Sequence, residues 1–240
     1  MHNVSMLRRV AGSALPCCAI IAVLIALLPI SNRMTRIIGI GALALTFLSL
    51  LILTWPKGKL RICILIPLLA GFLFILLPTR KSLPVTELKH SYLSHLKRYE
   101  SVNYVFGGEN FLGMDCSGLV RRAMVDALLD TGFRAFNPRL VRDGIRLWWT
   151  DATAQGLGDG TDTEPIQTTP APLPTLTHLQ PGDLIVSADG IHVLAYLGDD
   201  KWIDADPSAG KVRILPTSEN PWLVEPVRIV RWKWLAEPTE

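Results

Sequence analysis

Apolar residues are distributed along this chain in two different ways. In the first third they form unbroken runs, Ala11–Ile30, Ile37–Trp55 and Ile62–Leu77, with no charge inside any of them. A helix needs about 20 apolar residues to cross a bilayer, within a range of about 17–25. The first two runs meet that length and the third sits at its short limit. They predict transmembrane helices over about 11–30, 37–55 and 61–78. Three such runs in succession argue against helices buried in a globular core. The breaks between them carry Arg33 and Arg36, then Lys57, Lys59 and Arg61, and Trp55 stands where an interfacial aromatic belongs.

Beyond residue 82 the apolar positions become periodic. Val85, Leu88, Tyr92, Leu96 and Tyr99 recur at helical spacing after Pro84, predicting a helix that ends near Glu100. Residues 101–115 contain Gly107, Gly108 and Gly113 and read as a loop. A second helix is expected to start at or just before Cys116, burying Leu119, Val120, Ala123, Met124, Ala127 and Leu128, and to stop at Thr131-Gly132. Asn137-Pro138 predicts the cap and first turn of a third helix, running to about Trp149. The stretch 151–178, rich in Gly, Thr and Pro, reads as a long loop. Strands are expected at Leu184–Val186, His192–Leu197, Lys201–Ile203, Val212–Leu215 and Val227–Trp234, with a tight turn at Gly198-Asp199-Asp200. Helices followed by strands indicate an α+β domain with an antiparallel sheet. The expected organisation is a membrane anchor over 1–81 and one folded domain over 82–240.

Charge sharpens this division. The net charge of +3 conceals a front without any Asp or Glu before Glu87 and a mildly acidic remainder. No basic stripe interleaved with aromatics is present, which excludes a nucleic-acid partner. The N-terminal tail and second break hold Arg8, Arg9, Lys57, Lys59 and Arg61; the other side holds Arg33, Arg36, Arg80 and Lys81. That small bias places the N-terminus in the cytoplasm and, after three spans, the folded domain outside it. Of the four cysteines, Cys17, Cys18 and Cys63 fall within the apolar runs as small apolar residues. Cys116 is then the sole thiol of the exported part, without a partner for an intrachain bridge.

Cys116 follows a Gly-rich loop and opens a helix, where free N–H groups and the helix dipole favour a thiolate. The same amides are suited to an oxyanion. His192 opens an apolar strand, and Asp204 lies 12 residues on, across the expected hairpin, on the same sheet face. A nucleophile, a base and a carboxylate that orients the base describe acyl transfer through a thioester. Taken singly, Cys116 and His192 read better as buried core residues than as catalytic ones, and Asp204 equally well as a turn residue. His90 and His95 read as a solvated helix face, and Asp159–Glu164 as a loop without a calcium-ligand series. Trp148, Trp149, Trp222, Trp232 and Trp234 read as packing residues.

The blocks Tyr104-x-Phe-Gly-Gly, Asp115-Cys-Ser-Gly-Leu-Val, Pro181-Gly-Asp and His192-Val-x-x-Tyr-Leu-Gly resemble, in order, the NlpC/P60 cysteine peptidases of bacterial cell walls. The resemblance covers roughly residues 85–216. It implies a papain-like fold, Cys116 as nucleophile, His192 as base and Asp204 as the orienting residue. It also implies that Tyr104 stands beside the nucleophile, and that Asp115 and Ser117 belong to the substrate-binding pocket. Its implied substrates are peptidoglycan stem peptides, cut between γ-D-glutamyl and a diamino acid, with no cofactor and no metal. Together with the apolar runs it implies a multi-pass protein of the bacterial inner membrane. The sequence departs from the family at Phe106, where Trp is common, at Asp204, where His is common, and at Leu194, expected to narrow the cleft. Two other functions fit the same residues: a Cys-dependent amidase or acyltransferase on membrane-proximal amides, and an inactive cell-wall-binding module.

Overall fold

The computed structural model describes residues 2–79, 82, 84–171 and 179–236. Three long helices open the chain: α1 (His2–Leu27), α2 (Arg33–Thr54) and α3 (Gly58–Leu76). All three are long and apolar enough to cross a membrane. The first stops at Leu27, three residues before the expected Ile30, because Leu28–Asn32 turns back through Pro29. Asn32 then caps α2 through a reciprocal exchange with Thr35.

Helices α4 (Val85–Arg98), α5 (Cys116–Arg134) and α6 (Pro138–Trp149) follow, with a two-stranded ribbon, β1 (Glu109–Asn110) and β2 (Gly113–Met114), between α4 and α5. The expected stop of α5 at Thr131-Gly132 is wrong: Gly132 lies inside the helix. A Cβ there would come within 2.8 Å of the Val141 side chain. The glycine therefore permits the close approach of α6 and does not end the helix.

The remaining elements are the short helix α7 (Ala154–Gly158) and strands β3 (Thr163–Ala171), β4 (Leu184–Ser187), β5 (Val193–Gly198), β6 (Lys201–Asp206), β7 (Lys211–Pro216) and β8 (Val227–Trp232). They form one antiparallel sheet in the order β3-β8-β4-β5-β6-β7. The expected 151–178 loop is thus corrected over half of its length, at 154–158 and 163–171; 172–178 lies outside the described residues. Strand β3 tolerates Pro165 because it pairs on one side only, at the sheet edge, where a missing N–H is harmless. The Asp199-Asp200 turn joins β5 to β6 with both residues at positive φ, 50° and 57°, as a two-residue hairpin turn requires.

Alternation along the strands divides the core. Val193, Ala195, Ile203 and Ala205 face Leu88, Tyr92, Leu119, Met124 and Leu128 of α4 and α5. Leu194 and Trp202 face the other way, into a smaller cluster with Ile185, Leu223 and Ile229. Leu194 is fully buried there, so it lines no cleft, contrary to the sequence expectation. The architecture is α+β, with the Cys116 helix against a sheet whose hairpin carries His192 and Asp204.

Candidate active site

Cys116 is the first residue of α5, and Asp115 is its N-cap. The Asp115 carboxylate is saturated by its neighbours. One oxygen accepts from the Gly118 amide at 2.6 Å and from the Ser117 hydroxyl at 3.0 Å. The other accepts from the Gly107 amide at 2.8 Å. Gly107 holds φ at +73°, the left-handed region, which lets this amide point back at the carboxylate. The Gly108 carbonyl in turn accepts from the Asp115 amide at 3.0 Å. A Cβ on Gly118 would overlap that carbonyl oxygen, so only glycine fits there. Asp115 and Ser117 are therefore engaged in building the helix start.

The Cys116 sulfur is seated against the chain on both sides of His192. It lies 3.9 Å from the Ile191 carbonyl oxygen, and the Val193 amide points at it. Only 8% of the residue is exposed. Burial pushes the thiol up to about 11, and the neighbouring Asp115 charge adds to this. The amides of Val193, Ser117 and Cys116 itself oppose the rise. A resting thiol is the result, one that a base must deprotonate before it attacks. Tyr104 stands beside this thiol; burial first, then the charges of Cys116 and Asp115, raise its phenol above the usual value.

His192 precedes β5 by one residue and does not belong to the strand, unlike the sequence expectation. Pairing of Ala195 with Ile203 sets the hairpin register and brings His192 and Asp204 to one face. Imidazole Nε2 lies 3.1 Å from an Asp204 carboxylate oxygen, with both side chains buried. A carboxylate at Nε2 leaves Nδ1 as the nitrogen for exchange with a thiol. The second Asp204 oxygen is buried and has no hydrogen-bond partner.

Two residues that the sequence did not single out for the site hold His192 in place. Its backbone amide donates to the Ser187 hydroxyl at 3.0 Å. Trp222, expected to serve packing, stacks on the imidazole at 3.9 Å between ring centroids and 16° between planes. The short 3₁₀ turn Pro221–Leu223 presents it, capped by Asn220, whose side-chain oxygen accepts from the Trp222 amide. This contact spans 30 residues of chain with no periodic signal, so no local pattern foretells it. His90 and His95 lie on α4, away from these groups. Among the described residues no group of three His, Cys, Asp or Glu is arranged to hold a metal ion.

No family model and no curated protein matches the sequence. Solved structures do match in shape. An NlpC/P60 family protein from Bacillus cereus aligns at 19% identity and a TM-score of 0.40, over 60% of this chain and 40% of its own. The peptidoglycan hydrolase RipB of Mycobacterium tuberculosis aligns at 21% identity and 0.38, over 60% of this chain and 65% of its own. NlpC1 from Trichomonas vaginalis aligns at 18% identity and 0.39, over 65% of this chain and 48% of its own. The chain therefore spans about two-fifths to two-thirds of the length of these structures.

Proposed function

We propose that this protein is a membrane-anchored cysteine hydrolase of peptidoglycan stem peptides, acting on the γ-D-glutamyl–diamino acid bond. Residues 1–81 are the anchor and 82–240 the hydrolase domain, on the extracytoplasmic side of the inner membrane of a bacterium. The observation that carries the reading is the pairing of His192 with Asp204 directly beside the chain segment that seats the Cys116 sulfur. The ordered motifs around Tyr104, Asp115-Cys116-Ser117 and His192 supply the substrate class.

In this reading His192 Nδ1 removes the thiol proton as sulfur attacks the amide carbonyl. The C–S bond forms, and amides at the start of α5 receive the oxyanion. Collapse breaks the C–N bond, and His192 returns the proton to the leaving amine. Water, deprotonated by the same imidazole, then opens the thioester and frees the thiol. Asp204 holds the ring and stabilises its protonated form. Tyr104 borders the nucleophile, and Asp115 with Ser117 sets the edge of the substrate pocket through the loop they organise.

The test is mass spectrometry of purified muropeptides incubated with the full chain in detergent. New amino termini at the diamino acid are expected with the native chain and none with Cys116→Ala. Cleavage that survives this substitution sinks the mechanism.

One observation favours an inactive binding module: a thiol that burial holds at about 11. Alkylation of Cys116 by iodoacetamide at pH 7.5 separates the two. Labelling that falls at least tenfold in His192→Ala supports the hydrolase, and equal labelling supports the binding module.

A further inference from the structure

The helices of the anchor do more than tether the domain; they are bonded to the loop that shapes the nucleophile. The Ser31 amide donates to the Gly107 carbonyl at 3.0 Å, and the Glu109 amide donates to the Pro29 carbonyl at 2.9 Å. Asn110 reaches the Leu28 carbonyl at 2.7 Å. Beneath them Arg36 of α2 is buried, 2.7 Å from Glu109 and 2.7 Å from Asp151. The other end of α5 is also attached. Phe133 and Phe136 pack on Phe74 of α3, with ring centroids 6.0 and 4.7 Å apart. Arg142 of α6 donates to the Ile75 and Leu77 carbonyls that finish α3.

The end of α1, the start of α2 and the end of α3 lie on one side of a three-span hairpin. Helix α5 has 19 residues, about 28 Å at 1.5 Å per residue. The loop before its first residue and the turn at its last both touch span ends, which, with α1–α3 read as membrane spans, sets α5 along the bilayer surface and Cys116 near that level. The exposed apolar side chains follow the same line. Phe111 and Leu112 form the tip of the β1–β2 ribbon, and Phe106 is 83% exposed beside the Gly107–Gly108 loop. A cavity of about 380 Å³ opens between α1 and α2, walled by Ile25, Ile40 and Leu43 and topped by Asn110 and Arg122. Its apolar depth and polar mouth match an amphiphile whose chain lies in the membrane and whose head reaches the domain.

We infer that the substrate is a lipid-linked peptide, presented from the bilayer to Cys116 and cut before or as it leaves its carrier. The inference rests on the hydrolase reading above and narrows it to one physical form of the substrate. Phe106, Phe111 and Leu112 dip into the interface beside the cleft, and the α1–α2 groove takes the apolar chain.

The experiment uses the full chain in phospholipid nanodiscs with two substrates carrying the same peptide. One is a polyprenyl-diphosphate-linked disaccharide pentapeptide embedded in the disc; the other is the water-soluble disaccharide pentapeptide. Cleavage of the embedded form at least tenfold faster is the expected result. Equal or faster cleavage of the soluble form overturns this inference and leaves the hydrolase reading standing. Cleavage of neither overturns both. The double substitution Phe111→Asp with Leu112→Asp is expected to slow the embedded substrate about tenfold and the soluble one less than twofold. Parallel loss on both substrates, or on neither, also overturns the inference.

Discussion

The two halves of the site are held by different means. On the thiol side the Gly107–Gly118 turn is held at many points: Asp115 accepts three hydrogen bonds, Gly108 is locked by contact with Gly118, and the α1–α2 connection bonds to the loop from below. On the imidazole side one carboxylate oxygen of Asp204 is buried without a partner, and the ring rests on the flat face of Trp222. The Cys116 turn is held at more points than the His192 ring. Changes on the thiol side should act all or none, and changes on the imidazole side should be graded.

The largest expected effect is loss of all muropeptide cleavage in Cys116→Ala, with an unchanged thermal melt. Next, His192→Ala should lower kcat/KM by about 10²–10⁴, the usual contribution of a positioned base. Asp204→Asn should lower kcat more than KM, because the change alters the ring's tautomer and not substrate contact; an unchanged kcat would remove Asp204 from the site. Trp222→Ala should cost only a factor of about 2–10, the worth of one aromatic contact at about 0.5–1.5 kcal/mol. A loss as large as that of His192→Ala would show the imidazole side to be as tightly held as the thiol side.

The smallest effect is on stability against pH. Burial raises the Cys116 thiol from 9.0 to about 11. A group whose native value lies above its unfolded one stabilises the fold below the lower value, and that contribution is lost as pH rises through the native value. Urea midpoints should therefore fall between pH 9 and 11, and less steeply in Cys116→Ala. Identical slopes would mean that the thiol ionises as freely folded as unfolded.

The parts of this architecture that were legible in the sequence are those whose cause is local. The α5 start is marked by the end of a Gly-rich loop followed by a helical apolar pattern, and the β5–β6 hairpin by alternation on both sides of Asp199-Asp200. The 12-residue separation of His192 from Asp204 followed from that hairpin, and the two side chains do meet. What escaped was long-range or locally misleading. Strand β3 carries Thr and Pro where a central strand would carry Val and Ile, because only one of its edges is paired. Trp222 reaches His192 through a 3₁₀ turn with no period to read. Arg36, flanking an apolar run, carried the signature of a membrane-boundary charge, yet it is 4% exposed and paired with two carboxylates.

That last feature bears on how residues 82–240 behave when cut loose. A fragment beginning at Ser82 would keep the Glu109–Arg121 pair at 3.5 Å but lose Arg36, the closer partner, together with the peptide groups that hold Gly107 and Glu109 from beneath. Removing these contacts takes two backbone hydrogen bonds and one buried ion pair from the loop, which loosens the turn beneath the sulfur. Sluggish turnover by such a fragment would then report a missing floor, and a short peptide copying Pro29–Arg36 should restore part of the rate.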